Sequence, residues 1–427
     1  MNGDNAKKTM QLISKTRISL WVAMAAMVSA DARGETFRTD INPALLCYQA
    51  IILRPDLSTA DRDYLLTNEW RGERLDARFG ALASQFDNEF KLLSRAAQAK
   101  VPCDWGIDLS PGPDTLLPQL GKVKMAAQIA RLRALWDLQN GKQNEGRDDL
   151  LAAFTLARNT SRDGTLIGCL VQIAMESIIC SSVAENYTKF SPQTLVDVLA
   201  GFESAPPRRT VADCIGVERA MFMDGWLIPK IQAIQQANPG NEPAAWHAVL
   251  LMFDRMTDAD NPVQTVNLEG FAKAAGGTSD GVLKLARELG PFYDRFATVL
   301  ALPYADFDGS MNQVAADIQK STNPLVHLFL PAIEKCRGRE FVILTKLAMV
   351  RAAVEYKLHG NDGLKSVADP CGNGPFTFEP FVLDGARRGF KLTSAYAGPG
   401  SNALIFVEKE GAPFHIDGKD IGLPIQK

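Results

Sequence analysis

Histidine is scarce in this chain, which has only His247, His327, His359 and His415, and no His-Glu-x-x-His pair occurs. That removes the common arrangement of a zinc hydrolase. There is no Cys-x-x-Cys and no cysteine–histidine spacing of the zinc-finger kind, so no structural metal is expected. Neither a phosphate-binding Gly-x-x-x-x-Gly-Lys loop nor a Gly-x-Gly-x-x-Gly turn is present, and no serine sits in a Gly-x-Ser-x-Gly elbow. No cofactor is implied. Basic residues are not in excess either: 46 Lys and Arg face 49 Asp and Glu, and the basic ones form no stripe. That argues against nucleic acid or an anionic membrane surface as the main partner.

What is present begins at the N-terminus. Lys7, Lys8, Lys15 and Arg17 precede the apolar run Ile18 to Val28, and Ser29-Ala30-Asp31-Ala32 follows. This order reads as a signal peptide over residues 1–32, with cleavage after Ala32 or Ala30. The run is shorter than the about 20 residues a membrane span needs. Export to the periplasm or beyond is therefore expected, with no stable span afterwards; the alternative is an N-terminal membrane anchor. Cleavage would remove four basic and two acidic side chains and take the net charge from −3 to −5. The seven cysteines (47, 103, 169, 180, 214, 336, 371) would survive it. In an oxidising compartment an odd count leaves one thiol over. Cys47 with Cys103 is the preferred disulfide, because Cys103 lies in a loop able to fold back on the first helix.

Caps and prolines divide residues 33–365 into helices. Asn42-Pro43, Ser58-x-x-Asp61, Ser191-Pro192 and Thr210-x-x-Asp213 are start signals. Apolar spacing predicts single helices over 75–99 and 268–288, then others near 119–140, 144–159, 164–188, 244–257, 290–300, 310–320 and 325–335. A long one from about 339 to 358 completes the body. Residues 237–243 form a break and a possible sub-boundary. Short turns between helices suggest an array or irregular bundle of α-hairpins. No fixed repeat period emerges: the small-and-aromatic series Ala134, Gly141, Ala153, Phe154 has no second copy.

At Asp369-Pro-Cys-Gly-Asn-Gly-Pro-Phe376 the hydrophobic period changes from helical to alternating. Phe376-Thr-Phe378, Gly389 to Thr393 and Ala403 to Val407 read as short strands, so residues 366–427 should form a small antiparallel β module on the last long helix. The predicted class is mainly α with this C-terminal sheet. Together with Gly389-Phe-Lys-Leu-Thr-Ser394, the Asp369 turn resembles the ending of type II secretion pseudopilins. It also resembles that of large exported helical bacterial proteins, which the body resembles around Cys103-Asp-Trp-Gly-Ile-Asp108 and Gly164-Thr-Leu-Ile-Gly-Cys169. The resemblance implies an envelope protein and, from the pseudopilins, a part in a secretion or pilus-like assembly. Two departures stand out: Cys371 replaces an aromatic residue, and Ala395-Tyr-Ala-Gly-Pro-Gly400 replaces the acidic calcium ligands, so calcium binding is not carried over.

Few residues point to chemistry. Asp258-x-Asp260 with Glu269 has part of an EF-hand spacing, but Pro262 and Val263 fall where the loop must turn. Asp306-Phe-Asp308-Gly-Ser310 suits either a cation or a turn and helix cap. His247 and His327 are expected half-buried on helices, and His359 at a helix end. The sharpest anomaly is Glu176 in the apolar run Leu166 to Ala184, sharing a face with Gln172. A helix apolar all round is buried, so this carboxylate needs a partner or a proton. An acidic cleft of Glu176 and Glu218 with Arg219 would give a hydrolase-like acid–base site. A buried Glu176–Arg219 ion pair joining two helices is the preferred reading. Function is then expected to be that of an exported helical scaffold or binding protein with a protein or peptide partner in the envelope. The alternatives are the hydrolase and the assembly component.

Overall fold

The computed structural model describes residues 40–66, 74–256, 268–330, 332–383 and 385–409, with the short pairs 415–416 and 419–420. The signal region and the acidic pair Asp258 and Asp260 lie outside the described residues. The protein is mainly α with a three-stranded antiparallel sheet near the C-terminus. Helices α1 to α4 are Pro43–Ile52, Thr59–Leu66, Ala77–Ser84 and Asp87–Ala97. Next come α5 (Gln119–Gln139), α6 (Gln143–Thr160), α7 (Leu166–Glu185), α8 (Pro192–Ser204) and α9 (Val211–Glu218). A π-helical segment, Arg219–Leu227, leads into α10 (Ile228–Ala237), α11 (Glu242–Met256) and α12 (Leu268–Ala274). Then α13 (Ser279–Arg287), α14 (Gly290–Val299), α15 (Tyr304–Lys320), α16 (Pro324–Phe329) and α17 (Ala332–Lys365) complete the body.

Local chemistry explains most of the boundaries. Asn42 accepts from Ala44 N and Ser191 from Thr194 N, each with Pro at the first helical turn. Thr210 and Asp213 make a full capping box. The expected single helix over 75–99 is two, parting at Gln85 and Phe86 where the chain turns without Gly or Pro. The expected helix over 268–288 is also two, because Gly276 and Gly277 both adopt positive φ. At the other end α17 runs beyond the expected stop at Leu358: Gly360 leaves helical geometry (φ 63°, ψ −146°), and the helix resumes to Lys365. His247 and His327 are exposed rather than half-buried, and His327 bonds Ser321 O at 2.7 Å.

The α5–α6–α7 layer forms the centre, with α4 and α8 beside α6. α7 is the one described helix long and apolar enough to cross a membrane, yet it packs inside the body against α5, α6, α9, α17 and the sheet. One hydrophobic cluster runs from Ala44 to Phe406, so the described body and sheet share a continuous core.

Strands β1 (Thr377–Leu383), β2 (Ala386–Thr393) and β3 (Ala403–Val407) pair in sequence order, and β1 reaches beyond its expected end at Phe378. A Cβ on Gly389 would sit 2.0 Å from Phe406 O, so only glycine fits there. Phe390 stacks between Phe378 and Phe406 and meets Tyr187 and Tyr356 of the body edge-on. The Asp369 turn is tied to the end of β2. Its carboxylate accepts from Cys371 N, Ser394 Oγ and Ala395 N. In the following loop Tyr396 donates to Gly338 O of α17 and packs on Tyr304 and Phe341. Aromatic contact thus anchors this loop to the body.

Candidate functional site

Glu176 is fully buried, and its partners come from two other segments. Arg158, near the end of α6, brings Nε to 2.5 Å of Glu176 Oε1. Arg208, in the connection before α9, brings Nε to 3.1 Å of Oε2. Gln172 Nε2 donates to the same carboxylate at 3.1 Å. Arg208 also reaches Glu340 of α17 at 2.5 Å. Glu340, also fully buried, accepts from Arg337 at 2.5 Å and from Val211 N at 3.2 Å. Three guanidinium and two carboxylate groups thus form a chain through the core. Burial pulls Arg158 below its ordinary pKa despite Glu176 beside it. Burial opposes the Arg208 charge too, but Glu176 and Glu340 together outweigh it and hold its pKa above the usual value.

The expected Glu176–Arg219 pair does not form. Arg219 begins the π-helical segment, is a third exposed, and bonds Asp224 and Asp294. Nor are Glu176 and Glu218 brought together. Glu218 Oε1 accepts from Leu166 N at 2.7 Å, at the first turn of α7. Glu176 is ten residues further along that helix, about 15 Å at 1.5 Å per residue. Glu218 completes a helix N-terminus, a place that favours negative charge, while burial raises its pKa. Glu176, closed off from solvent and held by two arginines, has no access to a substrate proton.

Other expected sites also resolve locally. Asp306 and Asp308 are exposed on the first turns of α15 rather than in a loop. Among the described residues no group of three or more His, Cys, Asp or Glu could hold a metal ion. The seven cysteines are all buried and form no disulfide, the expected Cys47–Cys103 bridge included. Those two thiols are near enough for a charge on Cys103 to act on Cys47, and the Cys103 sulfur accepts from the Ala44 backbone. Burial pushes Cys103 up to about 12, so it stays a thiol, the form that does not attack.

Lys346 of α17 is also buried (3% exposed), and its ammonium donates to Ser177 Oγ at 2.7 Å. Burial lowers its pKa. The unfolded chain then holds that proton more tightly, so this group's contribution to stability rises with pH from the depressed value to about 10.4. Lys346→Met is expected to stabilise the fold by on the order of 1 kcal/mol at neutral pH. Urea midpoints should converge with wild type as pH climbs towards about 10.4; a gap that does not change with pH would contradict this.

The open sites lie elsewhere. A recess of about 610 Å³ sits at the seam between body and sheet, lined by Tyr187, Thr188, Tyr356, Lys357, Gly360, Asn361 and Glu408. Lys357 donates to the carbonyls of Tyr187 (2.9 Å) and Phe190 (2.7 Å) and lies over the Tyr187 ring. Burial lowers its pKa, with Glu408 pulling the other way. Thr188 Oγ1 donates to Glu408 O at 2.9 Å and closes one wall. These residues come from three separate elements, each unremarkable alone. A buried-phase lysine on α17 was the one sequence signal for this recess. No protein-family model, curated protein or solved structure matches the chain.

Proposed function

We propose that this chain is an exported α-helical binding protein of the bacterial envelope, and that the seam recess receives a peptide or protein segment. The single observation that carries the reading is the recess itself. Its volume falls within the about 300–1,000 Å³ of typical ligand sites. It combines two tyrosine rings with a half-buried ammonium, a carboxylate and an amide, a mixture suited to backbone and side-chain groups of a peptide. Export rests on the basic and apolar N-terminal pattern and on the resemblance of the Asp369 turn to endings of secreted assemblies.

Asn361 is exposed at the rim, so Asn361→Trp fills the recess without disturbing the core. Mature wild-type protein incubated with envelope extract is expected to retain a partner that the variant loses, while the variant's Tm stays within about 2 °C. Retention of the same partner by both proteins, or of none by wild type, would sink the reading.

A further inference from the structure

A second recess, of about 220 Å³, opens where α3, α4, α5 and the start of α6 meet, far in sequence from the seam. Six of its lining side chains matter: Trp136, Asp137, Asp87, Arg133, Lys142 and Glu145. Asp137 is more than nine-tenths buried (8% exposed), faces this space, and has no hydrogen-bond donor on its carboxylate among the described residues. The neighbouring guanidinium is already committed. Arg133 bonds Asp149 at 2.7 Å, Asp87 at 2.5 Å and the Ala83 carbonyl at 3.1 Å. The Trp136 indole packs against Gly80 of α3, where an added Cβ would come within 2.2 Å of the ring.

The charges around the space are unbalanced. Among its lining residues Asp87, Asp137 and Glu145 oppose Arg133 and Lys142, and Lys142 is exposed on the rim. Burial raises the Asp137 carboxyl, and Glu145 and Asp87 add to this against Arg133 and Lys142. Burial pushes Asp149 up to about 7, against the pull of Arg133. The recess therefore offers an unpartnered buried acceptor and lacks a committed donor. No three donor side chains are arranged for a metal.

We propose that this recess binds a small organic cation, a primary amine or guanidinium group, with Asp137 as its acceptor. An ammonium supplies the missing charge-assisted hydrogen bond to this buried carboxylate. The volume holds about seven waters at about 30 Å³ each, enough for an amine on a short alkyl chain and too little for a polymer. Protons and the ligand compete for the Asp137 carboxylate, so affinity should rise with pH as that group ionises. Asp87, Arg133, Lys142, Glu145 and Asp149 are the other charged groups near it.

The test is a ligand-observed NMR titration of the full chain with propylammonium chloride at matched ionic strength, with 1-butanol as the uncharged counterpart. Saturable binding of the amine and not of the alcohol is expected, tighter at about pH 8 than at about pH 5.5. Asp137→Asn should weaken it at least about tenfold. Lys142→Ala, on the exposed rim, removes a competing cation and should strengthen it several-fold, so the proposal remains testable should Asp137→Asn fail to fold. Absent binding, equal binding of 1-butanol, unchanged affinity in Lys142→Ala or in folded Asp137→Asn, or displacement by stoichiometric Mg²⁺ would each overturn the proposal.

Discussion

Replacing Glu340 with glutamine is expected to lower folding stability by about 3–5 kcal/mol, the range for removing one member of a buried charge pair. The size follows from what Glu340 leaves behind. It neutralises Arg208 and Arg337 and accepts the Val211 amide, all inside the core. Without it three guanidinium groups face the single carboxylate of Glu176. Arg208 Nη2 and Arg337 Nε already have no acceptor among the described residues, so no spare lone pair is at hand. Urea midpoints would measure the loss. The control is Arg351→Gln, which breaks an exposed pair with Glu203 and should cost no more than about 1 kcal/mol. If the two variants lose equal stability, the core network contributes nothing beyond surface pairing.

Phe390→Ala should produce the second large effect, about 3–5 kcal/mol, as for other large-to-alanine changes in a core. Phe390 is fully buried, and four aromatic rings touch it: two from the sheet, and Tyr187 and Tyr356 from the body. Its removal empties the layer that joins module to body. Three short strands are marginal without such backing. Hydrogen exchange should therefore show the amides of β2 and β3 losing protection while those in the middle of α7 keep theirs. Equal loss in both would mean that sheet and body open as one unit, and the idea of a locally separable module would fall.

Much of the fold was legible because its signals are local. Asn42, Ser191 and Thr210 cap helices through their own side chains, and the change of period after Asp369 marks the sheet without reference to distant residues. The split at Gln85 and Phe86 was not legible, since the residues there are compatible with helix and only packing bends the chain. Glu176 shows the same limit. Its burial followed from the apolar residues on every side of α7. Its partners did not, because Arg158 and Arg208 belong to other segments and the expected Arg219 starts a π-helical turn near the surface. The recess at Asp137 left a trace that was missed. Ala127, Ala130 and Ala134 mark the inward face of α5, and Asp137 continues that phase as a charged residue on a buried stripe.

The charge chain through the core also bears on the order in which the polypeptide can close. Arg208 precedes Glu340 by 132 residues. Tyr187 waits for Ala353, 166 residues on, and Thr188 for Glu408, 220 residues on. A chain emerging from its N-terminal end therefore carries two arginines, Arg158 and Arg208, against the one carboxylate of Glu176 until Glu340 follows. Burying both before Glu340 is present would leave one positive charge without a carboxylate, at a cost of several kcal/mol, so closure of the core around Arg208 is expected to wait for α17. The last quarter of the protein thus locks its centre, since Arg208 gains its second carboxylate only when Glu340 arrives.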